Sequence, residues 1–216
     1  MGVRRNWLIG TALAAVIGYA VLWVGNVQGW AWLTRMDSWS LEAMYRLGAE
    51  RRGWVTGWDV FCTVLGPGAF RLVVLVVIVV ALIRRHVRFA MFLLISVELS
   101  GVITEIAKLA ADRPRPATAM TTALGTSFPS GHALGVMVAV LALLTFTRRV
   151  WWWVLGAVVV VAIGIGRVAL NVHHPSDVLA GWALGYAYFV LCLLLVPPRS
   201  QVSQPAGTPS ARDSAN

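Results

Sequence analysis

Three short polar stretches interrupt an otherwise apolar chain: "KLAADRPRP" (108–116), "PSGH" (129–132) and "GRVALNVHHPSD" (166–177). They supply Lys108, Arg115 and Arg167, cations with few acids beside them; Asp112 and Asp177 are the local exceptions. Arginine offers a planar fork that matches phosphate oxygens, and lysine a flexible point charge. Two or three such groups suit a phosphoryl group whose equatorial oxygens carry the transition-state charge. Ser130 and the amides of Gly131 and His132, at the start of a helix, add donors where a helix favours anions. Gly131 has no Cβ to hold a ligand away from the backbone. Histidine supplies the remaining chemistry. A neutral imidazole attacks phosphorus to form a phosphohistidine, and a second, protonated imidazole gives its proton to the departing oxygen. His173 and Asp177 stand four apart around Pro175, a spacing that lets a carboxylate orient an imidazole.

Each stretch also has a structural use. His132 could cap a helix, "RPRP" could end one because proline disfavours helix in the residue before it, and Ser176 or Asp177 could cap the helix after "HHP". Their occurrence together on one membrane face is what favours a site. Glu105, three residues before Lys108, is spaced for an ion pair on one helix face. Glu98, deeper in the same segment, either lines a polar cavity or bonds across helices.

The elements that position these residues follow from composition. Of 216 residues, 58% are apolar and 12% charged, with a mean hydropathy of +0.74. Soluble domains carry about 25% charged residues, so the chain belongs in a bilayer. Spans of roughly 20 apolar residues are predicted at about 7–25, 59–83, 89–110, 130–147, 150–170 and 176–196. The expected fold is all-α, a polytopic six-helix transmembrane bundle. The first span follows a charged start, is long, and lacks a small-residue cleavage site, so it is expected to stay uncleaved. Arg4 and Arg5, "RRHVR" (84–88), Arg148 with Arg149, and Arg199 all fall on one side of the weave. The positive-inside rule makes that side, with both termini, cytoplasmic. All three polar stretches then meet at the outer face of the cell membrane.

The longest outer loop, 26–58, predicts a helix over about 37–52 lying on the interface. Asp37 or Ser38 would cap it, with Leu41, Met44, Tyr45 and Gly48 on one face. Residues 1–196 form one membrane domain, and the tail 197–216 has nothing to bury and is expected to be disordered. The net charge of +9 punctuates apolar segments and forms no basic stripe interleaved with aromatics, so no nucleic-acid partner is expected. Cys62 and Cys192, each inside an apolar run, are expected to act as small buried hydrophobes.

The three stretches resemble the motifs of the type-2 phosphatidic acid phosphatases, an integral-membrane branch of a superfamily with glucose-6-phosphatases and vanadium haloperoxidases. K-x6-R-P matches Lys108, Arg115 and Pro116; P-S-G-H matches Pro129 to His132; S-R-x5-H-x3-D matches Arg167, His173 and Asp177, with Gly166 in place of the opening serine. The resemblance implies that His173 is the nucleophile, oriented by Asp177, and that His132 protonates the leaving oxygen and then activates water. It implies that Lys108, Arg115, Ser130, Gly131 and Arg167 hold the phosphate. No metal or cofactor is implied, and the sequence offers neither D-x-D nor H-E-x-x-H.

The expected activity is therefore hydrolysis of a membrane-lipid phosphate: phosphatidic acid, phosphatidylglycerol phosphate or undecaprenyl diphosphate. The partners expected are that lipid and the bilayer, with no obligate protein partner. A phosphate-lipid binding or transport protein is the alternative, and it leaves the acid–nucleophile pair without a use. An intramembrane serine protease built on Ser130 leaves Lys108, Arg115 and Arg167 without one.

Overall fold

A computed structural model of the chain describes residues 2–198. The residues described form α1 (Gly2–Val27), α2 (Ala31–Gly48), α3 (Arg52–Val64), α4 (Pro67–Ile83), α5 (Val87–Leu93), a π-helical turn (Leu94–Glu98), α6 (Ser100–Ala111), α7 (Gly131–Leu144), α8 (Val150–Ala169) and α9 (Pro175–Leu195), with no strand among them. Five helical segments are long and apolar enough to cross a bilayer: 5–27, 52–83, 87–111, 150–169 and 175–195. Their outward faces are apolar. Leu72, Val73, Val76, Val79 and Val80 on α4, for example, are each about half exposed or more, a surface that suits lipid tails and not water. The expected disordered tail lies almost wholly outside the described residues, from 199 onward.

Two expected spans differ from their predictions in an informative way. The second is broken: Gly66 is extended and Pro67 opens α4, so α3 and α4 are separate helices. Proline has no N–H to lose at a first helical position. The fourth is short. With 14 residues, α7 rises about 21 Å at roughly 1.5 Å per residue, against a hydrocarbon core of about 30 Å. It does not need the full thickness because it is an interior helix, with Ala133 to Val136 and Val138 to Val140 all buried. α9 packs along α7, α1 covers α9, and α8, α4 and α6 close around α7.

The contact between α7 and α9 is a backbone contact. A Cβ on Gly181 would stand 2.6 Å from the Ser130 carbonyl oxygen and 3.2 Å from Leu134 N. A helix can approach that closely only where it carries glycine. The Ser130 amide donates to the Asp177 carbonyl at 2.9 Å, so the start of α7 is tied to the first turn of α9.

The helix predicted over 37–52 is also displaced. It starts at Ala31 after Trp30, not at Asp37. Leu41 and Gly48 are buried as expected, whereas Tyr45 is exposed and Asp37 is a buried interior residue of the helix, not its cap. Cys62 and Cys192 are both buried and free, as the sequence suggested.

Candidate active site

The three polar stretches arrive at one end of the bundle by separate local devices. Asp112, in the left-handed conformation at φ 42°, ends α6 one turn after Lys108. Lys108 pairs with Glu105 at 3.4 Å, as their spacing predicted. Ser130 caps α7, its hydroxyl accepting from Ala133 N at 3.4 Å. The amides of Gly131 and His132, first in that helix, have no intrahelical acceptor. Arg167 lies in the last turn of α8, 6% exposed. The charges of Arg167, Arg115 and Lys108 and the His173 ring all bear on the His132 imidazole.

His173 sits in the turn between α8 and α9, 2% exposed. Its Nε2 is 3.2 Å from Arg115 Nη1. Arg115 also donates to the backbone carbonyls of Val172 (2.8 Å), Leu124 (2.7 Å) and Gly125 (3.0 Å). A guanidinium has no acceptor, so Nε2 accepts from it and the ring proton must sit on Nδ1. Burial pushes the imidazole down to about 4, against the pull of Asp177 in the other direction, which leaves the ring neutral near pH 7. Burial likewise lowers Arg115, opposed by the Asp177 charge.

Asp177 is fully buried and held from both sides. Its Oδ2 is 3.4 Å from His173 Nδ1, a contact with the neutral ring that leaves Nδ1 without a hydrogen bond. The same oxygen accepts more closely from His174 N (2.8 Å) and His174 Nδ1 (3.1 Å). His174 is thus the cap of α9, and Asp177 closes a reciprocal capping box with it. The capping role that the sequence offered to Ser176 or Asp177 therefore passes to His174, while Asp177 keeps its place beside His173.

The other oxygen of Asp177 leads to Arg113, which the sequence did not single out, and through it to Ser176 and Asp37, read there only as helix caps. Arg113 Nη1 donates to Asp177 Oδ1 at 2.6 Å and to Ser176 Oγ at 2.8 Å, while Nη2 donates to Asp37 Oδ2 at 2.8 Å. Asp37, 2% exposed, also accepts from the Ser176 amide (3.0 Å) and hydroxyl (2.6 Å). Arg113 therefore bridges two buried carboxylates from α2 and α9. One signal was present in the sequence: Asp37 lies midway between Leu33 and Leu41, on the buried stripe of an amphipathic helix.

Gly166 stands where the family motif has serine, and its surroundings account for the change. A Cβ there would lie 2.6 Å from Cys62 Sγ and 2.8 Å from Trp58 Cε3. The space that a serine would occupy is filled from α3. Cys62 and Asp59 also neighbour the Arg167 guanidinium, whose Nε is buried without a hydrogen bond.

A cavity of about 640 Å³ opens beside His132. Gly131, Thr104, Glu105, Arg71 and Glu98 are among the residues that line it. Glu98, without a partner in the sequence, thus lines a cavity that it shares with Val102, Ile106 and Leu109.

Fold and site together define a multi-pass membrane protein whose histidines and arginines converge at one end of a helical bundle. A family model described as PAP2 superfamily matches residues 89–201, just over half of the chain, and the chain belongs to that superfamily. It is 48% identical over 59 residues to an undecaprenyl-diphosphatase of Sulfolobus acidocaldarius, across 27% of this chain and 28% of the relative. It is 35% identical over 120 residues to a lipid A 1-phosphatase of Rhizobium johnstonii, across 49% of this chain and 46% of the relative. The chain thus spans less than half the length of either curated relative. A solved transmembrane PAP2-type phosphatidylglycerolphosphate phosphatase from Bacillus subtilis shares the fold, with a TM-score of 0.72 over 84% of this chain and 94% of that one, at 19% identity.

Proposed function

We propose that this chain is a lipid phosphate phosphatase that cleaves a phosphomonoester or diphosphate of a membrane lipid through a phosphohistidine, without a metal. One observation carries the mechanism: Arg115 Nη1 lies 3.2 Å from His173 Nε2, which requires a lone pair on that nitrogen and marks where an anion would meet it. In the first step Arg115 exchanges Nε2 for a phosphate oxygen. Nε2 then attacks phosphorus, the bond to the lipid oxygen breaks, and His132 gives that oxygen its proton. In the second step His132 takes a proton from water, the water oxygen attacks phosphorus, and the P–N bond breaks to release inorganic phosphate. Asp177 stabilises the Nδ1–H form of His173 throughout. Lys108, Arg115 and Arg167, with Ser130 and the Gly131 and His132 amides, hold the equatorial oxygens.

The likeness to an undecaprenyl-diphosphatase and to a lipid A 1-phosphatase supports this class of substrate. Residues 1–196 act as one membrane domain of six spans, with α7 as the short one. The arginine-rich ends at 84–88 and 148–149 lie opposite the site along the chain's weave, which supports a cytoplasmic side for them and for both termini, and an outer face for the site.

The test is phosphate release by detergent-purified protein from phosphatidic acid, phosphatidylglycerol phosphate and a polyprenyl diphosphate, with EDTA present. Release from at least one, abolished in His173→Ala, is expected. A magnesium requirement, or full activity in His173→Ala, would overturn the mechanism.

A further inference from the structure

Two charged residues that line the cavity beside His132 are not used by the chemistry above: Arg71, from α4, and Glu98, from the π-helical turn before α6. Cations at membrane depth are costly and mark function. Arg71 is not compensated by contact: among the described residues it makes no ion pair within 4 Å, its Nε is buried without an acceptor, and Glu98 Oε1 is buried without a donor.

Its position can be fixed from two directions. Arg71 Nη2 lies 2.7 Å from where a Cβ on Gly101 would be, and a Cβ on Gly131 would lie 3.1 Å from Thr104 Cγ2. Gly101 and Thr104 are one turn apart on α6, about 5 Å. From the other side, a Cβ on Gly135 would meet Pro67 Cβ at 2.8 Å, and Arg71 is one turn beyond Pro67 on α4. The first route puts Nη2 about one helical turn from the start of α7, and the second puts the Arg71 backbone about two turns from it, within reach of a long side chain that turns back. Glu98, three residues before Gly101, lines the same cavity as Arg71 and His132.

His132 is the proposed donor to the leaving oxygen, so the space beyond it receives the leaving group. A neutral alcohol there has no use for a cation. A second phosphate does. We propose that Arg71 binds a second phosphate carried by the leaving group, and that the enzyme therefore prefers lipids bearing one. The inference rests on the proposed phosphatase mechanism and deepens it. The chemistry has two sources: the inner phosphate of a lipid diphosphate, or a phosphodiester separated from the scissile phosphate by a short polyol.

The experiment compares kcat/KM within two substrate pairs: a prenyl diphosphate against the prenyl monophosphate of the same chain, and phosphatidylglycerol phosphate against phosphatidic acid. Wild type is expected to prefer the first member of at least one pair tenfold or more. Arg71→Gln should bring that ratio to within about twofold, with Arg71→Lys between them. The pair that responds identifies the source. No preference in either pair, or a preference that Arg71→Gln leaves intact, overturns the proposal. If Arg71→Gln does not fold, inhibition of wild type decides: pyrophosphate should inhibit at least tenfold more strongly than orthophosphate, and equal inhibition overturns the proposal. If wild type releases phosphate from none of the four lipids, the phosphatase mechanism fails separately. Binding of a prenyl methylenediphosphonate then reads Arg71 without turnover, and equal Kd values in wild type and Arg71→Gln, or in Arg71→Lys where only that variant folds, count against it.

Discussion

Restoring the family's serine at position 166 should damage this protein. The built-in contacts are 2.6 Å to Cys62 Sγ and 2.8 Å to the Trp58 ring, where ordinary contact begins at 3.4 Å. Cys62 is 1% exposed and has little room to rotate, and the Trp58 ring is held edge-on by Trp54 and Phe61, with centroids 6.0 and 5.7 Å away. Overpacking of this kind costs about 1–3 kcal/mol. Serine recovers about 0.5 kcal/mol in helix propensity over glycine, so Gly166→Ser should destabilise by about 0.5–2.5 kcal/mol net. For a chain of this length that lowers Tm by about 1–10 °C. Because Arg167 is the next residue and Cys62 is its neighbour, phosphate release should fall as well. Thermal unfolding in detergent and phosphate-release rates measure both. Adding Cys62→Ala removes the tighter contact, and the two substitutions should couple favourably by at least about 0.5 kcal/mol. A Gly166→Ser protein as stable and active as wild type, or one whose defect is indifferent to Cys62→Ala, would refute the steric account of this position.

Two further outcomes follow from the buried charges. Arg113→Met leaves Asp37 and Asp177, at 3% and 0% side-chain exposure, without their shared cation; removing one partner of a buried pair costs about 3–5 kcal/mol, so a fall in unfolding temperature larger than that of Gly166→Ser is expected, with loss of phosphate release. The second concerns pH. His173 is held near 4 in the folded protein against about 6.5 when unfolded, so the unfolded state takes up the proton first as pH falls. The stability from a neutral, buried His173 is full above about pH 6.5 and drains away towards pH 4. Unfolding midpoints between pH 7 and 4.5 should therefore fall less steeply in His173→Asn than in wild type, and parallel slopes would count against the assignment.

The apolar spans and the three motifs were legible in the sequence because each is written in contiguous residues: a run of about 20 apolar side chains, or a fixed spacing such as that between Arg167 and His173. Short-range contacts were equally legible, as the pairing of Glu105 with Lys108 illustrates. What escaped was whatever depends on two distant segments meeting. Asp37 read as a helix cap because its partner, Ser176, is 139 residues away. Arg113 lost to Arg115 because spacing to Lys108 selects the phosphate ligand and is silent about which arginine turns back to the protein. The break at Gly66 was carried only by a Gly-Pro pair inside a long apolar run. His174 as the true cap of α9 required knowing where the Asp177 carboxylate points.

The bridge from Asp37 through Arg113 to Asp177 has a consequence for what counts as the smallest working piece. The segment shared with the superfamily, 89–201, contains every motif residue but none of these supports from the first part of the chain: Asp37 beneath the carboxylate, Cys62 and Trp58 against the last turn of α8, Pro67 against α7. Inheritance of the motifs alone is therefore not inheritance of the machine. A chimera that grafts 89–201 onto another relative's first helices would keep its reactive groups and lose their alignment, unless the donor of those helices brought a matching acid at the position of Asp37.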